Sequence, residues 1–113
     1  MAKINYSPLS MRDLQGIGDY IAEELQNPTA ALQTIYRIQN TIDKLSVYPQ
    51  MGAPLSTRYE DVGDYRFVVC GHYLAFYRVA VGVIYIDRIL SGKQDYMNIL
   101  FDRMLEDNAD TLA

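Results

Sequence analysis

The stretch Tyr65-Arg66-Phe67-Val68-Val69-Cys70, Gly71-His72, Tyr73-Leu74-Ala75-Phe76-Tyr77-Arg78-Val79 and, after Gly82, Val83-Ile84-Tyr85-Ile86-Asp87-Arg88-Ile89-Leu90 decides the fold. β-branched and aromatic residues dominate all three runs and suit a pleated, half-buried surface. Gly71-His72 reads as a tight turn, and Gly82 separates the second run from the third. Strands joined by turns this short must be antiparallel neighbours. The third run carries apolar residues on both faces, as a strand inside a sheet should, and Ser91-Gly92 ends it.

Upstream, the period changes. Lys3-Ile4-Asn5-Tyr6 alternates polar and apolar residues and predicts a short strand. Ser7-Pro8 follows as a helix start, the serine at the N-cap and the proline at the first helical position. Leu14, Ile17, Ile21 and Leu25 then recur at steps of three and four and predict one apolar helix face. Gly16 and Gly18 weaken that helix by roughly 1 kcal/mol each relative to alanine, so packing must compensate or something must approach closely. Asn27-Pro28 repeats the start signal, and Ala31, Ile35, Ile38, Ile42 and Leu45 form a second, cleaner stripe. Two amphipathic helices with so short a break predict an antiparallel hairpin. Tyr48-Pro49-Gln50-Met51-Gly52-Ala53-Pro54 ends it, since two prolines and a glycine allow neither a helix nor a central strand. Ser56 to Gly63 reads as a polar loop.

Downstream of Lys93, Met97, Leu100, Phe101, Met104 and Leu105 mark a third amphipathic helix, with a frayed end beyond Asn108. Its stripe is read first as core. A lid displaced by a partner, or a groove for a partner's helix, is the alternative. The order is therefore strand, helix, helix, three-strand meander, helix. It defines an α+β chain with a mostly antiparallel sheet, an N-terminal helical hairpin packed on one face and a C-terminal helix. At 113 residues, without repeats or linkers, residues 1–113 are expected to form one domain.

Composition narrows the function. The chain is half hydrophobic and has ten tyrosines, no tryptophan and one cysteine. Cys70 alone can form no internal disulfide, which suits a reducing compartment. The start Met1-Ala2-Lys3-Ile4-Asn5 lacks a signal-peptide run, and no stretch approaches the roughly 18 apolar residues of a membrane span. A soluble, cytoplasmic protein without membrane partners is expected. Net charge is −4, and residues 102–113 supply most of it, holding Asp102, Glu106, Asp107 and Asp110 against Arg103. A near-neutral remainder argues against tight non-specific binding of nucleic acid, which needs an excess of Lys and Arg.

No Walker loop, dinucleotide fingerprint, zinc cluster or nucleophile elbow is present, so no cofactor or metal is expected. His72 could titrate near neutral pH, but beside a glycine between strands it reads as a turn residue. Cys70 reads as a buried strand residue rather than a nucleophile. The sheet is more informative. Arg66, Arg78 and Arg88 stand one per strand, with Lys93 beyond and Tyr65, Tyr73, Tyr77, Tyr85 and Tyr96 interleaved. Arginines among tyrosines on a sheet can bind RNA through guanidinium–phosphate forks and base stacking. The residues alone favour a plainer reading, in which the arginines pair with Asp64, Asp87 and Asp95, and Arg88 with the adjacent Asp87 in particular.

Tyr65-Arg66-Phe67, Gly71-His72-Tyr73-Leu74, Phe76-Tyr77-Arg78-Val79 and Ile86-Asp87-Arg88-Ile89-Leu90-Ser91-Gly92-Lys93-Gln94-Asp95-Tyr96 together resemble the C-terminal half of RelE/ParE toxins, the toxic partners of type II toxin–antitoxin pairs. Tyr48-Pro49-Gln50-Met51-Gly52 is similar to that superfamily's Tyr-Pro-x-x-Gly. The resemblance spans about residues 4 to 101 and rests on the ordered set of pieces. It implies a growth-inhibiting toxin neutralised by a cognate antitoxin that lays a helix or strand over the sheet and helices. It leaves open a homodimer or a heterotetramer with the antitoxin.

Two targets follow from the resemblance. ParE-like members poison DNA gyrase without known catalytic residues. RelE-like members are metal-independent endoribonucleases that cut mRNA on the ribosome, placing basic side chains around the breaking phosphate. On that second reading Arg66, Arg78, Arg88, Lys93 and Tyr96 would be catalytic. On the first, the same residues with Met97 and Phe101 would contact target or antitoxin. The chain departs from the nuclease pattern early in the second hairpin strand, where an arginine is usual and this sequence has Tyr73-Leu74-Ala75, and at Gln94, where Gly92-Lys93 is not followed by a second basic residue. With the acidic pI and the long C-terminal helix, these losses favour the ParE-like reading. A degenerate relative that keeps only antitoxin binding is the third alternative.

Overall fold

The three predicted runs form the meander at the heart of the molecule, in a computed structural model that describes residues 1–55, 64–92 and 99. β3 (Arg66–Cys70), β4 (Tyr73–Ala80) and β5 (Val83–Ser91) pair antiparallel in sequence order. Gly71 stands at the first central position of the β3–β4 turn with φ +66°, a conformation that costs only glycine nothing. β1 (Lys3–Tyr6) lies on the far side of β5 and runs parallel to it, with Ile4 opposite Ile84. β2 (Ala53–Pro54) adds two residues at the other edge, where proline's missing N–H is tolerated. The sheet order is β1-β5-β4-β3-β2.

α1 (Pro8–Asp19) starts as its sequence predicts. Ser7 Oγ accepts the Ser10 N–H at 3.0 Å. The same hydroxyl donates to the Asp87 carbonyl at 2.8 Å, which ties the helix start to β5. α1 runs through both glycines, and neither marks a close approach. A Cβ on Gly16 would meet nothing within 4 Å, and one on Gly18 would make ordinary contact with Ile35 of the second helix. Beyond Asp19 the helix widens into a π-turn, Tyr20–Glu24, in which the Leu25 N–H reaches back to the Tyr20 carbonyl. That extra residue rotates everything after it. Ile21 stays buried, but Leu25, predicted on the same apolar face, is 57% exposed. α2 (Pro28–Asp43) is capped by Asn27, whose Oδ1 accepts the Ala30 N–H at 3.1 Å, and a 3-10 turn, Lys44–Ser46, extends it.

The predicted stripe of α2 is the core. Ala31, Ile38, Ile42 and Leu45 are buried, with Ile35 packed beside them. They meet Leu14 of α1 and Val68, Ala75, Tyr77, Ile84, Ile86 and Ile89 of the sheet. Each fully buried aliphatic side chain contributes about 1.5–3 kcal/mol. A second apolar cluster, Leu55, Phe67, Phe76 and Leu90, occupies the opposite sheet face. Ile99 is helical and packs against it. The predicted C-terminal helix and the polar loop from Ser56 to Gly63 otherwise lie outside the described residues.

The pairing of β4 with β5 shifts register at one point. Tyr77 pairs with Ile86 and Phe76 with Arg88, so Asp87 is an extra residue in a β-bulge. The bulge resets the alternation: Ile84 and Ile86 face the helices, and so does Ile89, three residues on.

Candidate functional site

The three sheet arginines go to three different partners. Arg66 Nη1 donates to the Gly52 carbonyl at 2.8 Å. Tyr77, fully buried, donates its hydroxyl proton to the Pro49 carbonyl at 2.9 Å and accepts the Gly52 N–H at 3.0 Å. Arg66 and Tyr77 thus clamp the Pro49–Gly52 turn against the sheet. A Cβ at Gly52 would strike the Phe67 carbonyl and stand 2.6 Å from the Tyr77 hydroxyl, so the position admits only glycine. Burial pushes the Tyr77 hydroxyl pKa up, opposed by the Gly52 N–H and by Arg66.

Arg78 crosses to the bulge residue. Its Nε and Nη2 donate to Asp87 at 2.7 and 3.2 Å, and its guanidinium lies 5.3 Å from the centre of the Tyr85 ring. The side chain is 49% exposed on the sheet face away from the hairpin. Arg88 does not pair with Asp87, as adjacency suggests. It reaches α1 instead, where Nε and Nη2 donate to Asp13 at 2.8 and 3.0 Å. Asp13 Oδ2 also accepts the Ile89 N–H at 2.9 Å. Both partners are largely enclosed, at 16% and 12% side-chain exposure. The hydrogen bonds to aspartate raise the pKa of Arg78 and of Arg88, against a smaller opposing effect of burial.

The three described arginines of the predicted site therefore stand apart from one another. Arg66 serves a turn at the sheet edge, Arg78 lies on the open face, and Arg88 locks the hairpin to the sheet. Lys93, Tyr96, Met97 and Phe101 lie outside the described residues. His72 is a turn residue and Cys70 a buried one, as their sequence context predicts. Burial raises the Cys70 thiol pKa to about 11, against a hydrogen bond with Thr41. Among the described residues no group of three or more His, Cys, Asp or Glu could hold a metal ion. None of their helices is long and apolar enough to cross a membrane.

Among the described residues a concavity sits elsewhere, where the hairpin meets the β3–β4 turn. One cleft of about 710 Å³ opens between α1 and the end of β5. A second, of about 260 Å³, opens between α2 and the same turn. Tyr20, His72 and Tyr73 line both. Arg12 lines the first, and Arg37 the second. Neither arginine belonged to the sequence-predicted set, because each falls on the polar side of its own helix and reads there as a solvated charge.

A two-helix hairpin over one face of a mostly antiparallel sheet, with clamped Pro-x-x-Gly turn and arginine-bearing meander, defines a RelE/ParE-type toxin fold. The family described as ParE toxin of type II toxin-antitoxin system, parDE, matches residues 4–96, and the chain belongs to it. A chromosomal ParDE toxin–antitoxin structure from P. aeruginosa is similar, with a TM-score of 0.68 at 24% identity over 80% of this chain and 96% of that one. YafQ from E. coli strain BL21(DE3) gives a TM-score of 0.49 at 12% identity, over 81% of this chain and 94% of that one. YafQ in the E. coli DinJ–YafQ complex gives 0.47 at 13% identity, over 80% and 93%. No curated protein matches the sequence significantly.

Proposed function

We propose that this ParE-family toxin inhibits growth by binding a protein target, DNA gyrase, and that a cognate antitoxin neutralises it by binding the folded domain. One observation carries the reading: the three arginines of the β3–β5 meander are held by internal partners. A nuclease that stabilises charge on a breaking phosphate needs guanidinium groups aimed at the position where that charge develops. Here Arg88 forms a bidentate pair with Asp13, Arg78 does so with Asp87, and Arg66 supports the Gly52 turn. Tyr73-Leu74-Ala75 lacks the arginine that the resemblance places early in this strand in the nucleases, Gln94 stands in place of a second one, and the net charge of −4 disfavours a polyanionic substrate.

Inducible expression of the chain alone, with DNA and protein synthesis pulse-labelled separately, tests the reading. An early fall in DNA synthesis with translation intact is expected, followed by inhibition of gyrase supercoiling by the purified protein. An early fall in translation, with cleaved mRNA on ribosomes, would replace it with the endoribonuclease reading. Harmless expression with antitoxin binding intact would indicate a degenerate relative.

A further inference from the structure

Of the arginines in the described residues, Arg66, Arg78 and Arg88 have partners within the fold. Arg12 and Arg37 have no ion pair among the described residues, and both are exposed. They stand on different helices, yet both line the same composite groove, one in each of its two halves. The lining holds three arginines, Arg12, Arg37 and Arg88, against one aspartate, Asp13, which Arg88 already neutralises. A chain of net charge −4 thus turns a positive concavity outward at the hairpin.

Between the two cations the wall is aromatic and bare by turns. Tyr20 is 55% exposed at the start of the π-turn, and Tyr73 is half-buried beside His72. π-turns inside helices often accompany functional sites, and this one places Tyr20 where the two clefts join. On the α1 side Gly16 leaves backbone uncovered, with open space where a side chain would stand. Arg37 lies along the turn, its Nη1 within 3.5 Å of where a Gly71 Cβ would be. We infer that this groove docks an acidic peptide segment of a partner protein, with carboxylates against Arg12 and Arg37 and apolar side chains against Tyr20, Tyr73 and Gly16. A peptide is favoured over nucleic acid because the repulsion of an acidic chain acts over a whole polyanion, whereas a short segment meets only the local positive field. The inference deepens the reading of this chain as a protein-binding toxin and rests on it.

The test is selection of a displayed random dodecapeptide library on the immobilised full-length protein, followed by titration of the enriched peptides. Enriched sequences should carry at least two Asp or Glu residues, and their amide twins should bind several-fold more weakly. Arg12→Gln and Arg37→Gln should each weaken binding by about fivefold, the scale of one lost charge contact. Gly16→Leu, which changes no charge and whose Cβ meets open space, should obstruct the groove while raising helix propensity, and an undiminished melting temperature then separates lost binding from misfolding. Enriched peptides without acids, no enrichment, or binders indifferent to all three substitutions would overturn the inference. So would tighter binding of a labelled oligothymidylate through the same arginines. Toxicity is scored independently: a toxic chain without peptide binding sinks the groove alone, and a harmless chain that binds acidic peptides sinks the gyrase reading alone.

Discussion

Removing the Asp13 carboxylate, as in Asp13→Ala, should destabilise this protein more than any other single charge change among its described residues. Asp13 accepts three hydrogen bonds, two from Arg88 and one from the Ile89 N–H, and so joins α1 to β5 just after the bulge. Breaking a fully buried pair costs about 3–5 kcal/mol because the surviving charge stays desolvated, whereas an exposed pair is worth under about 1 kcal/mol. At 16% and 12% side-chain exposure the pair lies nearer the buried limit, and water reaches it in part. The expected loss is therefore about 2–3 kcal/mol, or a melting temperature lower by roughly 10–15 °C. Urea unfolding followed by circular dichroism measures it. Arg88→Ala should cost less, since a carboxylate freed on α1 still caps the Ile89 N–H. A double-mutant cycle should return a coupling of about 1–2 kcal/mol. A loss below about 0.5 kcal/mol in Asp13→Ala, or additive single effects, would refute the structural role and release Arg88 for direct contact with a target.

Three further outcomes are expected. Gly52→Ala should cost about 3 kcal/mol or more, because the added methyl overlaps the Phe67 carbonyl and the Tyr77 ring and breaks the clamp on the Pro49 turn; a urea midpoint close to the parent's would contradict this. Gly16→Ala should leave stability unchanged or raise it by up to about 1 kcal/mol, since the helix gains propensity and the Cβ meets open space, and a melting curve decides. Stability should fall in alkali. The Cys70 thiol, raised from 9.0 to about 11 in the fold, stays protonated while the unfolded chain ionises, so its contribution is complete below about pH 9 and is lost as pH rises through about 11. Urea midpoints from neutral pH upward should decline less in Cys70→Ala than in the parent. At neutral pH an Ellman reagent should label Cys70 only on unfolding, since 2% of the residue is exposed.

The local signals in the sequence were strong where backbone chemistry is local. Ser7-Pro8 and Asn27-Pro28 place both helix starts because a side-chain cap and a proline act within four residues. The stripe Ala31, Ile35, Ile38, Ile42, Leu45 identifies the buried face of α2, and the glycine turns separate the meander strands at nearly their final limits. The same residues, read as an ordered set, carried the resemblance that the family match bears out. What failed were inferences that carry a phase across an irregularity. Leu25 left the apolar face because the π-turn at Tyr20–Glu24 inserts a residue. Arg88 left Asp87 for Asp13 of α1, seventy-five positions away, and the bulge beside it, signalled by the spacing Ile86-x-x-Ile89, three where a strand gives two, breaks the alternation of β5.

By itself, then, the sequence determined the main elements of the described residues, their order and the apolar faces they must bury, because period, caps and turn residues act over a few positions. Only the tertiary structure decided that β1 runs parallel beside β5, a pairing between segments about eighty residues apart that no local signal encodes. It also decided which arginine meets which aspartate. Arg88 and Asp13 stand seventy-five positions apart, and Arg12 and Arg37 line one groove from two helices. Such meetings depend on how rigid elements pack against one another, which is set by the whole core at once and not by any stretch of it.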